Sequence, residues 1–186
     1  LNTLFSELSL LRWDRIYLVN NVGVLDPIGP LGKGDEKGWI DNIRVNLMSD
    51  LVTSGLFLKY FTDHEAKCHI AHISSGAARH PYSGWALYCA SKAAMEMFSQ
   101  CVALDLFECH LDQRMTSFVI NPGKMNTEMQ THIRRQSERI FPAVKRFVEY
   151  KQAGELADPI RVAAAIYRIM NLPPVNGQYY MARDFF

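Results

Sequence analysis

The sequence predicts a layered α/β fold built on a parallel sheet, and three observations carry that prediction. Apolar runs of strand length alternate with longer helical patterns, the order that sets helices between parallel strands. Two of the helical stretches carry apolar residues too continuously for a one-sided surface helix, so each is expected to be covered on two sides. The 186 residues make one domain's worth of chain, long enough to bury a substantial core, without a repeat or a low-complexity tract.

In chain order, the first strand is drawn over Ile16 to Asn20. Gly29, Gly32, Gly34 and Gly38 follow in a proline-bearing loop around a charged core from Lys33 to Lys37, which reads as a solvated turn. A helix is predicted over Trp39 to Phe61, with Ile40, Ile43, Val45, Leu47, Leu51, Val52, Leu56 and Phe57 as its apolar set. Cys68 to Ser74 is the second strand, and Tyr88 to Phe107 the next helix. Thr116 to Asn121 is the third strand. Residues 128 to 156 interleave Arg134, Arg135, Glu138, Arg139, Lys145, Arg146, Glu149 and Lys151 with Ile133, Ile140, Phe141, Val144, Phe147 and Val148, an amphipathic pattern broken at Pro142. Asp158 as N-cap and Pro159 in the first turn start a helix through Met170, and a last strand is drawn around Gln178 to Ala182.

Charge excludes some functions. The formal net charge is +1, which gives no electrostatic case for nucleic acid or an anionic membrane. No stretch resembles a signal peptide, and no apolar run approaches the roughly 20 residues of a spanning helix. A soluble, cytoplasmic, disulfide-free protein is expected, with Cys68, Cys89, Cys101 and Cys109 as buried thiols within strand or helix. Cys68, His69 and His72 suggest a metal site, but positions 69 and 72 of a strand face opposite sides, so no metal is expected. Cys89 is adjacent to Tyr88 in sequence, points about 100° away on a helix, and reads as packing.

The chemistry centres on Tyr88-Cys89-Ala90-Ser91-Lys92, thirteen residues after Ser75. Residues four apart share a helix face, so a helix sets the Lys92 ammonium beside the Tyr88 phenol. A neighbouring cation favours phenolate and is expected to lower the phenol pKa toward working pH, as a general acid/base requires. Standing alone, the pair also fits a surface Tyr and Lys on an ordinary amphipathic helix.

Four further segments appear with it in a familiar order: Asn20-Asn21-Val22-Gly23 after an apolar run, Asn46 on the next helix, Ile73-Ser74-Ser75 ending a strand, and Asn121-Pro122-Gly123 with Thr127 beyond. Together the five resemble the short-chain dehydrogenase/reductase family. Within it, Gly84 to Ala94 and Asn126-Thr127-Glu128-Met129-Gln130 are most similar to the sepiapterin reductase and benzil reductase-like members. The resemblance implies a Rossmann-like, doubly wound parallel sheet in three α/β/α layers, and the chain is read as one such domain over 1-186. It matches the later two thirds of the pattern. The chain opens on Leu1 and runs almost directly into a strand, so it is expected to be a fragment lacking the first strands and their glycine-rich, pyrophosphate-binding turn.

The resemblance also implies roles. Tyr88 is the proton donor, Lys92 holds the nicotinamide ribose, Ser75 bonds the carbonyl oxygen, and Asn46 positions a water that relays protons to Lys92. Asn20, Asn21 and Gly23 form the turn under the adenine-side ribose. Pro122 and Gly123 turn the chain under the nicotinamide, Thr127 bonds its carboxamide, and Met125 and Asn126 run along the cofactor. Gly76, Met129 and Gln130 are placed on the substrate side, and residues 128 to 156 correspond to a mobile lid. Ser74 is the competing serine. The thirteen-residue spacing selects Ser75, and alternation sends the two to opposite faces. NADP(H) is the implied cofactor with NAD(H) open, the substrate a small carbonyl compound, and the assembly a homodimer or homotetramer through the two long helices. Pterin-reducing members anchor their substrate with an aspartate near the C-terminus, where Met181 stands here unless two residues are inserted to bring in Asp184. An aromatic or vicinal dicarbonyl is therefore at least as well indicated. The rival reading is a non-catalytic binding or scaffold protein, or an inactive fragment, of the same fold.

Overall fold

The computed structural model, which describes residues 1–186, places four strands in one sheet: β1 (Arg15–Asn20), β2 (Lys67–Ile73), β3 (Met115–Asn121) and β4 (Tyr179–Met181). They lie in the order β1-β2-β3-β4, all parallel, with Arg15 opposite Lys67, Cys68 opposite Met115 and Val119 opposite Tyr179. Each strand agrees with its sequence expectation to within a residue or so at either end. The helices are α1 (Asn2–Leu8), α2 (Glu36–Ile43), α3 (Ser49–Phe61), α4 (Ala86–Glu108), α5 (Glu128–Arg134), α6 (Val144–Gln152) and α7 (Pro159–Asn171). Asp158 caps α7 by accepting from the Ile160 N–H at 2.8 Å, with Pro159 in the first turn, as the sequence predicts.

Both faces of the sheet are covered. Phe5, Phe57, Phe61, Cys68, Ile70, Val102, Leu106 and Met115 join α1, α3 and α4 to one face. Ala71, Ile73, Phe118, Ile120, Val162, Ala165 and Ile169 join α7 to the other. Alternation along β2 thus sends Ile70 and Ala71 to opposite sides. His72 follows Ile70 toward α3 and α4, meeting the Phe98 ring edge-on at 5.9 Å. His69 lies on the opposite side, bonded to the Thr116 hydroxyl at 2.9 Å and beside the Tyr17 ring at 4.9 Å.

The single helix expected over Trp39 to Phe61 is three segments, because a π-helical stretch, Arg44–Met48, separates α2 from α3. Residues four apart on an α-helix drift by about 40°, and the wider π turn offsets that drift. The buried stripe accordingly runs Asn42, Asn46, Asp50, Ser54 and then Phe57 and Phe61. Polar residues face inward while Ile40, Met48 and Val52 are 41%, 46% and 48% exposed. The expectation of apolar cover on two sides therefore fails within one chain. Helix α4 repeats the arrangement, burying Tyr88, Ser91, Lys92, Glu96 and Ser99 and exposing Met97, Leu104 and Phe107.

Asn46 anchors the loop that follows β1. Its Oδ1 accepts from the Val24 N–H at 2.7 Å, and its Nδ2 donates to the Val24 carbonyl at 2.8 Å and to Asn42 Oδ1 at 3.0 Å. The thiols correct another expectation: Cys68 alone is buried, Cys89 is half-buried, and Cys101 and Cys109 face outward because they fall off the packed stripe of α4 and at its end. Burial pushes Cys68 up to about 11, against the pull of Arg114.

Two outcomes follow. Burial, aided by Arg15 and Lys67, holds His69 down to about 4 from 6.5. Its folded pKa is depressed, so the unfolded chain binds the extra proton between those values and stability falls as pH drops through that window, by at most about 1.4 kcal/mol per pH unit. Urea midpoints measured from pH 7 to 4 should decline less steeply for His69→Asn; parallel curves would refute the assignment. Asn46→Ala strands both polar groups of Val24 and should cost about 2 kcal/mol or more, read as a lowered urea midpoint at pH 7.

Candidate active site

A cleft of about 460 Å³ opens beyond the carboxyl ends of β2 and β3, where parallel α/β sheets receive their ligands. Ser75, the residue after Ser74 at the end of β2, adopts an extended conformation and caps the short 3-10 turn Gly76–Ala78, its Oγ accepting from the Ala77 N–H at 3.2 Å. Beyond β3, Pro122 leads into Gly123 at φ 78°, the left-handed region that favours glycine. The Gly123 N–H is fixed by Asn121 Oδ1 at 2.9 Å.

A polar frame ties these strand ends together. Asn121 donates to the Tyr179 hydroxyl at 2.7 Å, and the Arg79 guanidinium lies 3.5 Å from the centre of the Tyr179 ring. Arg79 Nε then bonds Glu96 Oε2 at 3.0 Å, and Glu96 Oε1 accepts from the Ser74 hydroxyl at 2.5 Å. Both serines line the cleft, but the Ser74 hydroxyl is committed to Glu96 of α4, whereas the Ser75 Oγ accepts only from the Ala77 N–H of the turn that it caps.

Tyr88 lines the cleft beside Ser75, on α4. Lys92 stands one turn further along, 4% exposed, its Nζ donating to the Ile73 carbonyl at 2.9 Å. The expectation that Lys92 lowers the Tyr88 pKa is corrected. Burial raises the phenol, the neighbouring Ser75 hydroxyl acts in the opposite direction, and Cys89 adds to the rise. Burial likewise lowers Lys92, opposed by the charge of Asp50. Desolvation disfavours the charged form of each group, and at this depth it outweighs their partners. Tyr88 is thus held protonated, the form a proton donor needs.

Behind the cleft, a methyl group on Gly23 would lie 3.7 Å from Asn46 Oδ1 and 3.9 Å from Lys92 Nζ, so the turn after β1 lies against both. Asn20 ties β1 to α3, donating to Ser54 Oγ and accepting from Thr53 Oγ1, each at 2.9 Å. Asn21 is exposed. Of the residues singled out in the sequence, Ser75, Gly76, Tyr88, Pro122, Gly123, Met125, Thr127, Met129 and Gln130 line the cleft together. Lys92, Asn46, Gly23 and Asn20 form its buried backing. Asn126 lies outside the lining, its carboxamide oxygen accepting from Lys151 at 3.2 Å.

Helices α5 and α6 close one side. Trp85 and Tyr82 reach the cleft, but Phe141 is fully buried and stacked on Trp85 at 4.6 Å, so it is core. Met181 lines the cleft, whereas the Asp184 side chain is 62% exposed and 3.7 Å from Arg183. Sequence reasoning missed Phe147 and Tyr150 of α6, also in the lining, and Asp50. The signal for Asp50 was a carboxylate four residues after Asn46 within an apolar helix.

The donor set fits a nicotinamide dinucleotide at its nicotinamide end. Thr127 begins α5 with a hydroxyl that makes no cap bond, beside the open turn of Pro122 and Gly123, and Tyr88 and Ser75 face them across the cleft. Comparison with known proteins agrees. Residues 11–138 match the family model described as short chain dehydrogenase. Benzil reductase ((S)-benzoin forming) of Bacillus cereus is 34% identical over 155 residues, 83% of this chain and 61% of that one. Sepiapterin reductase of Bos taurus is 32% identical over 155 residues, 77% of this chain and 52% of that one. The crystal structure of KRED1-Pglu superposes with a TM-score of 0.75 at 28% identity, covering 93% of this chain and 71% of that one. The chain thus spans between half and two thirds of the length of these two curated relatives. With the parallel sheet, the Ser75, Tyr88 and Lys92 arrangement and the Pro122-Gly123 turn in place, the chain belongs to the short-chain dehydrogenase family, whose Rossmann fold carries a nicotinamide cofactor.

Proposed function

We propose that this chain carries the catalytic residues of a carbonyl reductase that uses NADPH to reduce an aryl ketone or an aromatic vicinal dicarbonyl. The observation that carries this reading is Tyr88 and Ser75 side by side in an apolar cleft, with the Lys92 ammonium one helical turn behind. When bound, the cofactor supplies a hydride to the carbonyl carbon. The Ser75 hydroxyl hydrogen-bonds the carbonyl oxygen and stabilises its developing charge. Tyr88, held protonated by burial, releases its proton to that oxygen, and Lys92, one turn along the same helix, holds the ribose hydroxyls of the bound cofactor. Asn46 backs Lys92, and Thr127 with the Pro122-Gly123 turn orients the nicotinamide.

Substrate class follows from the walls. Tyr82, Trp85, Met129 and Phe147 make one side broad and apolar, suited to a flat ring. Met181 in the lining, in place of the exposed Asp184, puts no carboxylate at that position, and the cleft's Glu155 is already paired with Lys124, which favours the benzil-like reading over the sepiapterin-like one. The preference for NADPH over NADH rests on the likeness to those two reductases. The exposed apolar residues of the π segment, α3 and α4, Met48, Val52, Met97, Leu104 and Phe107 among them, support a homodimer or homotetramer.

Tyr88→Phe should reduce turnover of an aryl diketone at least about a hundredfold while leaving the affinity for NADPH within about threefold. Wild-type turnover in that variant would remove the mechanism. A panel of benzil, sepiapterin and short polar aldehydes, assayed with NADPH and with NADH, tests the substrate and cofactor choices together. Preference for the aldehydes would overturn the apolar-cleft reading. Light scattering behind size-exclusion chromatography should give a multiple of the 21.2 kDa chain mass.

A further inference from the structure

Asp50 is a charge without an evident partner. It sits on the buried stripe of α3, 2% exposed, and its Oδ2 meets no hydrogen-bond donor. The nearby His72 Nδ1 is 3.6 Å away, longer than a hydrogen bond. A carboxylate in such a place is retained against a steep desolvation cost, so something must compensate it.

Lys92 presents the complementary problem. Its ammonium is buried, and its one protein partner is the neutral Ile73 carbonyl. Asn46 and Asp50 lie one turn apart on the stripe that faces α4, and Asn46 and Lys92 meet across Gly23. The field of Asp50 favours the charged form of Lys92 against burial. The other ionisable groups buried on the elements around this pair are few. On α4 these are Tyr88, in the cleft, and Glu96, already bonded to Ser74 and Arg79; on β2 they are Cys68 and His72, and His69 on the opposite face of the sheet. All remaining charged side chains of α1, α2, the π segment, α3, α4, β1 and β2 are exposed.

We propose that Asp50 is the internal counter-ion of the Lys92 ammonium, with His72 packed beside its carboxylate, Nδ1 lying 3.6 Å from Oδ2, and Lys92 bonded to the carbonyl of Ile73, the residue after His72. It is a positioning residue that acts on the reaction only through Lys92. His72 is itself placed by neutral groups, with Ser117 Oγ 3.4 Å from its Nε2 and Asn20 Nδ2 3.4 Å from its Nδ1. Ser117 in turn meets Ser99 Oγ at 2.8 Å. A series of polar neighbours therefore runs from the middle of α4 across β3 and β2 to α3, where it ends at the Asp50 carboxylate, 3.6 Å from His72.

The inference rests on the carbonyl-reductase reading for its kinetic consequence but not for its primary readout. Protein labelled with ε-13C lysine is titrated by NMR as wild type, Asp50→Asn and Asp50→Glu, with the Lys92 signal assigned by its loss in Lys92→Arg. In Asp50→Asn, Lys92 should lose its proton about one pH unit lower than in wild type, and Asp50→Glu should recover most of that shift. The high-pH limb of kcat/KM for an aryl diketone should move the same way, with kcat falling more than KM changes. Unchanged Lys92 titration in Asp50→Asn overturns the proposal. Should that variant not fold, His72→Gln is titrated in its place, with a smaller shift in the same direction expected and no shift overturning it. Wild-type protein that turns over no carbonyl would overturn the proposed function while leaving the lysine titration to decide the counter-ion.

Discussion

The structure is organised around a buried ammonium. Lys92 is 4% exposed, and an ion of that size taken out of water costs several kcal/mol unless groups around it are fixed in advance. One such group is the last carbonyl of β2, which accepts from Nζ and so locates the lysine relative to the strand that delivers Ser75. A second is the stripe of Asn46 and Asp50 on the facing helix. Placing Lys92 also places Tyr88, because they are one turn apart on the same helix. The geometry of the candidate site is therefore set by where a cation can be tolerated.

Two helices are built inside out near the site. An amphipathic helix ordinarily turns its apolar face to the sheet. Here α2, the π segment and the start of α3 turn Asn42, Asn46, Asp50 and Ser54 inward, and α4 turns in Lys92, Glu96 and Ser99. Only beyond these do Phe57, Phe61, Val102 and Leu106 restore an apolar interface with β2 and β3. On the face covered by α3 and α4, the sheet is thus clamped by hydrophobic packing at its amino ends and by hydrogen-bonded polar groups at its carboxyl ends, while α7 covers the other face with apolar residues throughout. The first supplies non-directional stability. The second supplies the directional constraints that a proton transfer needs.

Much of this was legible in the sequence, for an identifiable reason. Strand positions, the Ser75 to Tyr88 spacing, the Tyr88 and Lys92 pair and the Pro122-Gly123 turn are encoded by local order, and local order fixes position along an element. What was not legible depends on distance through space. The direction of the Tyr88 pKa was misjudged because a neighbouring cation is visible in sequence while the depth of burial opposing it is not. Asp50 and His72 lie 22 residues apart and on different elements, so nothing local joins them. Exposure of Ile40, Val52, Met97 and Leu104 was missed for a related cause: their apolar character is plain, but the side turned inward also carries polar residues that bond the loop after β1 and the strands, such as Asn46 to Val24, Ser54 to Asn20 and Ser99 to Ser117.

Helix α4 carries two buried charges one turn apart, and their different degrees of satisfaction separate bracing from chemistry. Glu96 has a hydroxyl on one oxygen and a guanidinium on the other, and its arginine is further held against the Tyr179 ring. A charge so fully paired has little left to offer a ligand and serves to lock β2, β3 and α4 in register with one another. Lys92 has three donors and one protein acceptor, beneath an open cleft. An under-satisfied buried group is costly, and such costs persist where the surroundings over-determine them and a ligand completes the set. The rigid frame through Glu96 is what allows the neighbouring turn of the same helix to hold its cation incompletely bonded behind the cleft.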